Sequence, residues 1–161
     1  SSDVCSSDLT DGSFSTTFTA TAKTLTVTPA STAVQIASGA TAIGSYQVTI
    51  SFDKTLVRVT CTNATDVTCS TSPNVTGGTG AGFTGNPSTI NIDNAAGTIT
   101  LNQFQTGNSP SGTFTVAGVT FTGLRAGTVT LTISGVTVTD TAANDVSASF
   151  LTLTQTSLTI N

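Results

Sequence analysis

The residues able to do chemistry are few, and their types narrow the possible reactions at once. The chain has no histidine and no glutamate, and its acidic residues are eight aspartates. A serine or cysteine nucleophile needs a base to activate it, and a Ser-His-Asp arrangement is out of reach without histidine. Glycoside hydrolysis needs two carboxylates flanking one bond. The candidates are Asp53, Asp66, Asp93, Asp140 and Asp145, and each falls in a stretch that reads as a turn. Aspartate bonds its own backbone in such turns. The expectation is that the chain is not an enzyme.

Asp140, Asn144 and Asp145 do put oxygen ligands into one loop. Calcium takes about six to eight oxygens, and backbone carbonyls can supply the remainder. Calcium held there is the one metal reading the residues allow, and otherwise no cofactor is expected. Nucleic acid is excluded by charge. Four basic residues cannot make a phosphate-neutralising patch.

Cys61 and Cys69 flank a polar connector, Thr-Asn-Ala-Thr-Asp-Val-Thr. A disulfide closing so short a loop contributes about 2.5 kcal/mol through chain entropy, and it implies an oxidising, exported setting. The competing reading is two free thiols. A zinc site lacks the histidine that would complete its ligand set. The third cysteine, Cys5, lies in Ser-Ser-Asp-Val-Cys-Ser-Ser-Asp-Leu, residues 1–9. That stretch resembles a sequencing adapter read in frame, so it is set aside from fold reasoning. On that reading the natural N-terminus lies outside the sequence. Without Asp3 and Asp8, six aspartates face two lysines and two arginines, a net charge of −2.

The elements that position these residues read as strands throughout. Tyr46, Val48, Ile50 and Phe52 alternate with Ser45, Gln47, Thr49 and Ser51. Successive strand side chains point to opposite faces, so one face is buried and the other wet. Asp53-Lys54-Thr55 breaks the pattern as a turn, and Leu56, Val57 and Val59 restart it. Residues 10–23 read as a Ser/Thr-rich linker or the end of a preceding module. The domain proper is expected over 24–161. Strands are predicted at 24–28, carrying Leu25 and Val27 and ended by Pro29, and then through Val34 and Ile36. Residues 70–88 hold five glycines and two prolines, the mark of a long loop, with one short strand predicted near Phe83. Further strands run through Ile90 and Ile92, Ile99 and Leu101, and Phe114 to Phe121. Val129 to Val138, Val146 to Phe150, Leu151 to Leu153 and Leu158 to Ile160 complete the set.

Two of these strands switch parity, at Ala117-Gly118 and around Gly135. A β-bulge at each would return the later apolar residues to the core. Threonine, with 38 residues, is β-branched and suits the wet face of strands. About nine strands and no helical period predict an all-β chain, an antiparallel β-sandwich of two packed sheets. No run of about 18 apolar residues exists, so no membrane insertion is expected.

In their order and spacing, four pieces resemble a cohesin domain from about Leu25 to Phe150. These are Ser45 to Phe52 followed by Asp53, Leu56-Val57-Arg58-Val59, Gly97-Thr98-Ile99-Thr100-Leu101, and Gly112 to Phe121 followed by Gly127. The resemblance implies a nine-stranded jelly roll and a non-catalytic module that binds a dockerin domain. It places the binding face on Ser45, Gln47, Thr49 and Ser51, extended by Thr98, Thr100 and Asn102. Cohesins often carry Asn where this chain has Ser45 and Asp where it has Gln47, so a charged hydrogen-bond acceptor is missing here. The setting implied is extracellular or cell-surface, within a larger bacterial multidomain chain linked to polysaccharide degradation. A spacer or stalk domain is one alternative. A carbohydrate-binding module is the other. It needs an exposed ring, for which Phe83 is the only candidate, and a Phe83 folded back on the core is the expectation against it. Asn63-Ala64-Thr65 and Asn74-Val75-Thr76 fit the glycosylation sequon, as chance matches do in a Thr-rich chain.

Overall fold

Tyr46, Val48 and Ile50 are fully buried and Phe52 nearly so, as the alternation requires. They line the inner face of β2 (Ile43–Ser51). The computed structural model describes residues 30–63, 65–105, 107–147 and 151–161. The strand expected at 24–28, the lead-in at 10–23 and residues 1–9 lie outside the described residues. So does the greater part of the strand expected at Val146 to Phe150.

Two five-stranded antiparallel sheets face each other. In the first, β1 (Ala30–Ala37) pairs with β8 (Thr113–Gly123) on one side and β11 (Leu151–Leu153) on the other. Both β3 (Val57–Arg58) and β5 (Val75–Gly77) pair along the far edge of β8. The second sheet runs β10 (Thr132–Asp140), β2, β7 (Thr98–Phe104), β6 (Thr89–Asp93) and β4 (Thr68–Cys69). A small third sheet pairs β9 (Gly127–Thr130) with β12 (Ser157–Ile160). Among the described residues there is no helix, and the strands number twelve. The short pairing β4 is additional to the expected strands, and a break at Leu131 divides the strand expected from Val129 to Val138 into β9 and β10. There the chain leaves one sheet for another, and the Leu131 N–H bonds Thr156 O at 2.8 Å.

Both glycine-marked parity switches are bulges. Val34 faces Ala117 and Gln35 faces Thr115, which leaves Val116 as the extra residue. Phe114, Val116, Val119 and Phe121 are consequently all buried. In β10, Ile133 faces Ile50 and Gly135 faces Thr49, so Ser134 is extra. A one-residue slip without these bulges would turn the later apolar residues to water.

The long loop after β4 departs from expectation in one respect. Its short strand is β5, and Phe83 lies in a turn whose N–H bonds Gly80 O at 2.9 Å. The ring itself is fully buried. It stacks on Phe114 at 5.9 Å and meets Tyr46 edge-on at 5.5 Å. Gly78 lets this loop press against β8, because a Cβ there would sit 1.9 Å from Thr115 O. The Asp53 turn forms as expected, with Oδ1 accepting the Thr55 N–H at 2.8 Å. Gly97, at φ +75°, closes the β6–β7 turn against Phe52 O, a conformation and a contact that only glycine accommodates.

Candidate functional site

The seven residues expected on one face do share one. Pairing of β2 with β7 sets Gln47 opposite Asn102, Thr49 opposite Thr100 and Ser51 opposite Thr98. Ser45 stands one step further along, opposite Phe104. Pairing of β10 with β2 adds Thr137 beside Gln47 and Thr139 beside Ser45. Pairing of β6 with β7 adds Thr89 beside Asn102, Asn91 beside Thr100 and Asp93 beside Thr98. At about 3.3 Å per residue and 4.8 Å between strands, the face of these four strands spans roughly 20 by 14 Å.

Its chemistry is hydroxyl and amide. Asp93 is the one ionisable group these ladder positions supply, and its Oδ1 accepts the Ala96 N–H at 2.8 Å. Three hydroxyl pairs tie strands together: Ser45 with Thr139 at 2.7 Å, Thr49 with Thr100 at 2.9 Å, and Ser51 with Ser134 at 3.0 Å. Each such pair spends one donor hydrogen, which leaves its hydroxyls less to offer a partner than an unpaired amide has. Among the described residues, no hydrogen bond engages the side chains of Gln47, Asn91 or Asn102. These amides, with the hydroxyls of Thr89, Thr98 and Thr137, for which the described residues likewise offer no partner, are the face's unpaired polar groups.

Phe104 is the residue sequence reading missed. It is 60% exposed and closes the outward row Thr98, Thr100, Asn102, Phe104. The signal was present in the strand's alternation, since Phe104 shares the parity of the polar residues while Ile99 and Leu101 take the other. Phe83, the one ring considered for a sugar platform, is fully buried, folded back on the core as the expectation against that platform had it.

The disulfide joins Cys61 to Cys69. It closes the loop that leads into β4 at the far edge of this sheet. Arg58 pairs with Asp66 inside that loop. The Asp140 turn is built as a hydrogen-bonded cap. Its Oδ1 accepts the N–H groups of Ala142 and Asn144 at 2.8 and 2.9 Å, and Oδ2 accepts Asn144 Nδ2 at 2.9 Å. Asp145 Oδ1 accepts the Ser147 N–H at 2.9 Å. The donors around these carboxylates are protein N–H and O–H groups. They hold the carboxyls of Asp140 and Asp145 below the usual range, chiefly through the Asn144 side chain and the Ser147 hydroxyl. Among the described residues, no group of three or more His, Cys, Asp or Glu is placed to hold a metal ion.

No protein-family model matches the sequence, and no curated protein matches it. Solved structures do match its shape. A type II cohesin domain from the cellulosome of Acetivibrio cellulolyticus superposes with a TM-score of 0.58 at 19% identity, over 74% of this chain and 78% of that one. The fold is cohesin-like. The type II cohesin dyad from the adaptor ScaA scaffoldin of the same organism gives a TM-score of 0.58 at 17% identity, and there the chain spans 40% of the dyad's length. A third cohesin match, with a TM-score of 0.54 at 20% identity over 81% of that chain, comes from a type II cohesin–X-dockerin complex. Cohesin-like architecture and the all-β sandwich expected from the sequence therefore coincide.

Proposed function

We propose that this domain is a non-catalytic, extracellular interaction module that takes a dockerin-type domain on the outer face of β10, β2, β7 and β6. The observation that carries the reading is the cohesin-like fold, one of whose matches comes from a cohesin–X-dockerin complex. The face supports it by carrying few charges, Asp93 beside Thr98 on one edge and Asp145 across an isolated bridge from Thr139 on the other, with amides free to bond. The absence of histidine from the sequence supports a non-catalytic role. The disulfide favours an exported setting, and among the described residues no helix is long and apolar enough to cross a membrane. Such a module serves as one bead of a larger scaffold that gathers polysaccharide-degrading partners. The test is a pull-down of the purified domain against a panel of dockerin modules. Capture of at least one is expected, and an empty panel with the fold intact would reject the reading in favour of a spacer domain.

A further inference from the structure

We infer that partner recognition on this face is anchored by Phe104, with Gln47 and Asn102 as the flanking hydrogen-bonding pair, and that it selects an uncharged, partly apolar partner surface. This rests on the proposed function and specifies it. Three observations carry it. Phe104 is 60% exposed on a strand position shared with Thr98, Thr100 and Asn102. It overhangs the sheet, because β6 begins at Thr89 opposite Asn102 and supplies no ladder neighbour beyond it. The nearest polar groups divide into two kinds. Ser45 and Thr139 bond each other at 2.7 Å, while among the described residues Gln47 and Asn102 have no side-chain hydrogen-bond partner.

An exposed ring beside unsatisfied amides is the composition of an interface hot spot. The ring supplies apolar area at low entropic cost, and the amides fix register. Such a partner presents an aliphatic side chain or shallow apolar pocket to Phe104. It offers backbone, amide or hydroxyl groups to Gln47 and Asn102. The strands that carry the ring and the amides, β2 and β7, hold no charge, since Asp93 lies on β6 and Asp145 across the bridge from Thr139, so a charged partner surface over them would lose hydration without gaining an opposite charge. A polysaccharide fits less well, because a sugar chain along a flat face stacks on successive rings and this face carries one.

The test measures binding of type II X-dockerin modules to the wild type and to single variants by biolayer interferometry. Phe104→Ala is expected to weaken binding by roughly thirtyfold or more, and Phe104→Leu to recover most of it. Gln47→Ala and Asn102→Ala should each cost about three- to tenfold. Leu124→Ala, which removes an exposed apolar side chain on the turn after β8, should change nothing. Raising salt from about 0.05 to 0.5 M should move the affinity less than about twofold. Thermal melts establish that each variant is folded. A dockerin that binds with unchanged affinity to Phe104→Ala, or whose affinity collapses with salt, overturns this inference and leaves the interaction module standing. An empty panel overturns both. Retention of the wild type but not Phe104→Ala on insoluble cellulose would assign the ring to sugar and overturn both as well.

Discussion

Asn94 grips Val59 by both edges of its backbone. Its Oδ1 accepts the Val59 N–H at 3.0 Å, and its Nδ2 donates to Val59 O at 2.8 Å. The same Nδ2 donates to Asp66 O at 2.9 Å. One side chain thus stands in for a strand. It ties Val59 and the disulfide loop to the β6–β7 turn, just beyond the two-residue ladder of β4 with β6.

Replacing that side chain leaves buried polar groups unpaired. Val59 is fully buried, and an orphaned backbone group costs about 1–3 kcal/mol. Asn94→Ala should lower the melting temperature by roughly 4–8 °C. Asn94→Asp should be at least as harmful, because a carboxylate would face two carbonyl oxygens. Calorimetry checks both, and a drop below about 1 °C for either would contradict the bracing role.

The Cys61–Cys69 bond holds the same loop covalently. Reduction should cost about 2.5 kcal/mol on chain-entropy grounds, read as a shift in the urea midpoint. Amide exchange should speed first in β4, which pairs with β6 only at Thr68 and Cys69. An unchanged midpoint would show that the noncovalent contacts suffice.

Stability should be flat across neutral pH and fall at the extremes. No histidine is present, so no side chain with an ordinary pKa titrates between about pH 5 and 8. The carboxyls of Asp53, Asp140 and Asp145 are all lowered, foremost by the Thr55 hydroxyl, the Asn144 side chain and the Ser147 hydroxyl respectively. A lowered folded pKa gives stability that is complete above the unfolded value of about 3.9 and lost as pH falls through the folded one. Tyr46 moves the other way, since burial raises its pKa. Above about pH 10 the unfolded chain releases that proton while the folded chain keeps it, so stability declines. Melts from pH 2 to 11 should trace this plateau, with tyrosinate absorbance rising only on unfolding. A transition near pH 6 would contradict it.

Phe83→Ala tests the aromatic cluster. The ring packs between Tyr46 and Phe114, so its loss should cost about 3–5 kcal/mol in a denaturant titration. A loss under about 1 kcal/mol would mean the ring contributes little to the core.

Much of this architecture was legible in residue types alone. Alternation from Tyr46 to Phe52 placed the core side chains, and parity switches at Gly118 and Gly135 announced the bulges at Val116 and Ser134. The face from Ser45 to Ser51, with Thr98 to Asn102, followed from the same period of two. Phe104 escaped because a lone aromatic at a strand end looks like core until parity is followed to the last residue. Asn94 escaped because a turn asparagine has no pattern. Its role depends on which loop lies against it, a matter of tertiary contact. The strand β5 was hidden among glycines, which carry no periodic signal.

The central claim is that the outer face of β10, β2, β7 and β6 is where a protein partner sits. Backbone amide shift mapping by NMR, titrating the labelled domain with a type II X-dockerin module, tests it most directly. The account predicts perturbations concentrated in residues 45–51 and 98–104, with Phe104 and Asn102 among the largest. Perturbations confined to the outer face of β1, β8 and β11 would contradict it.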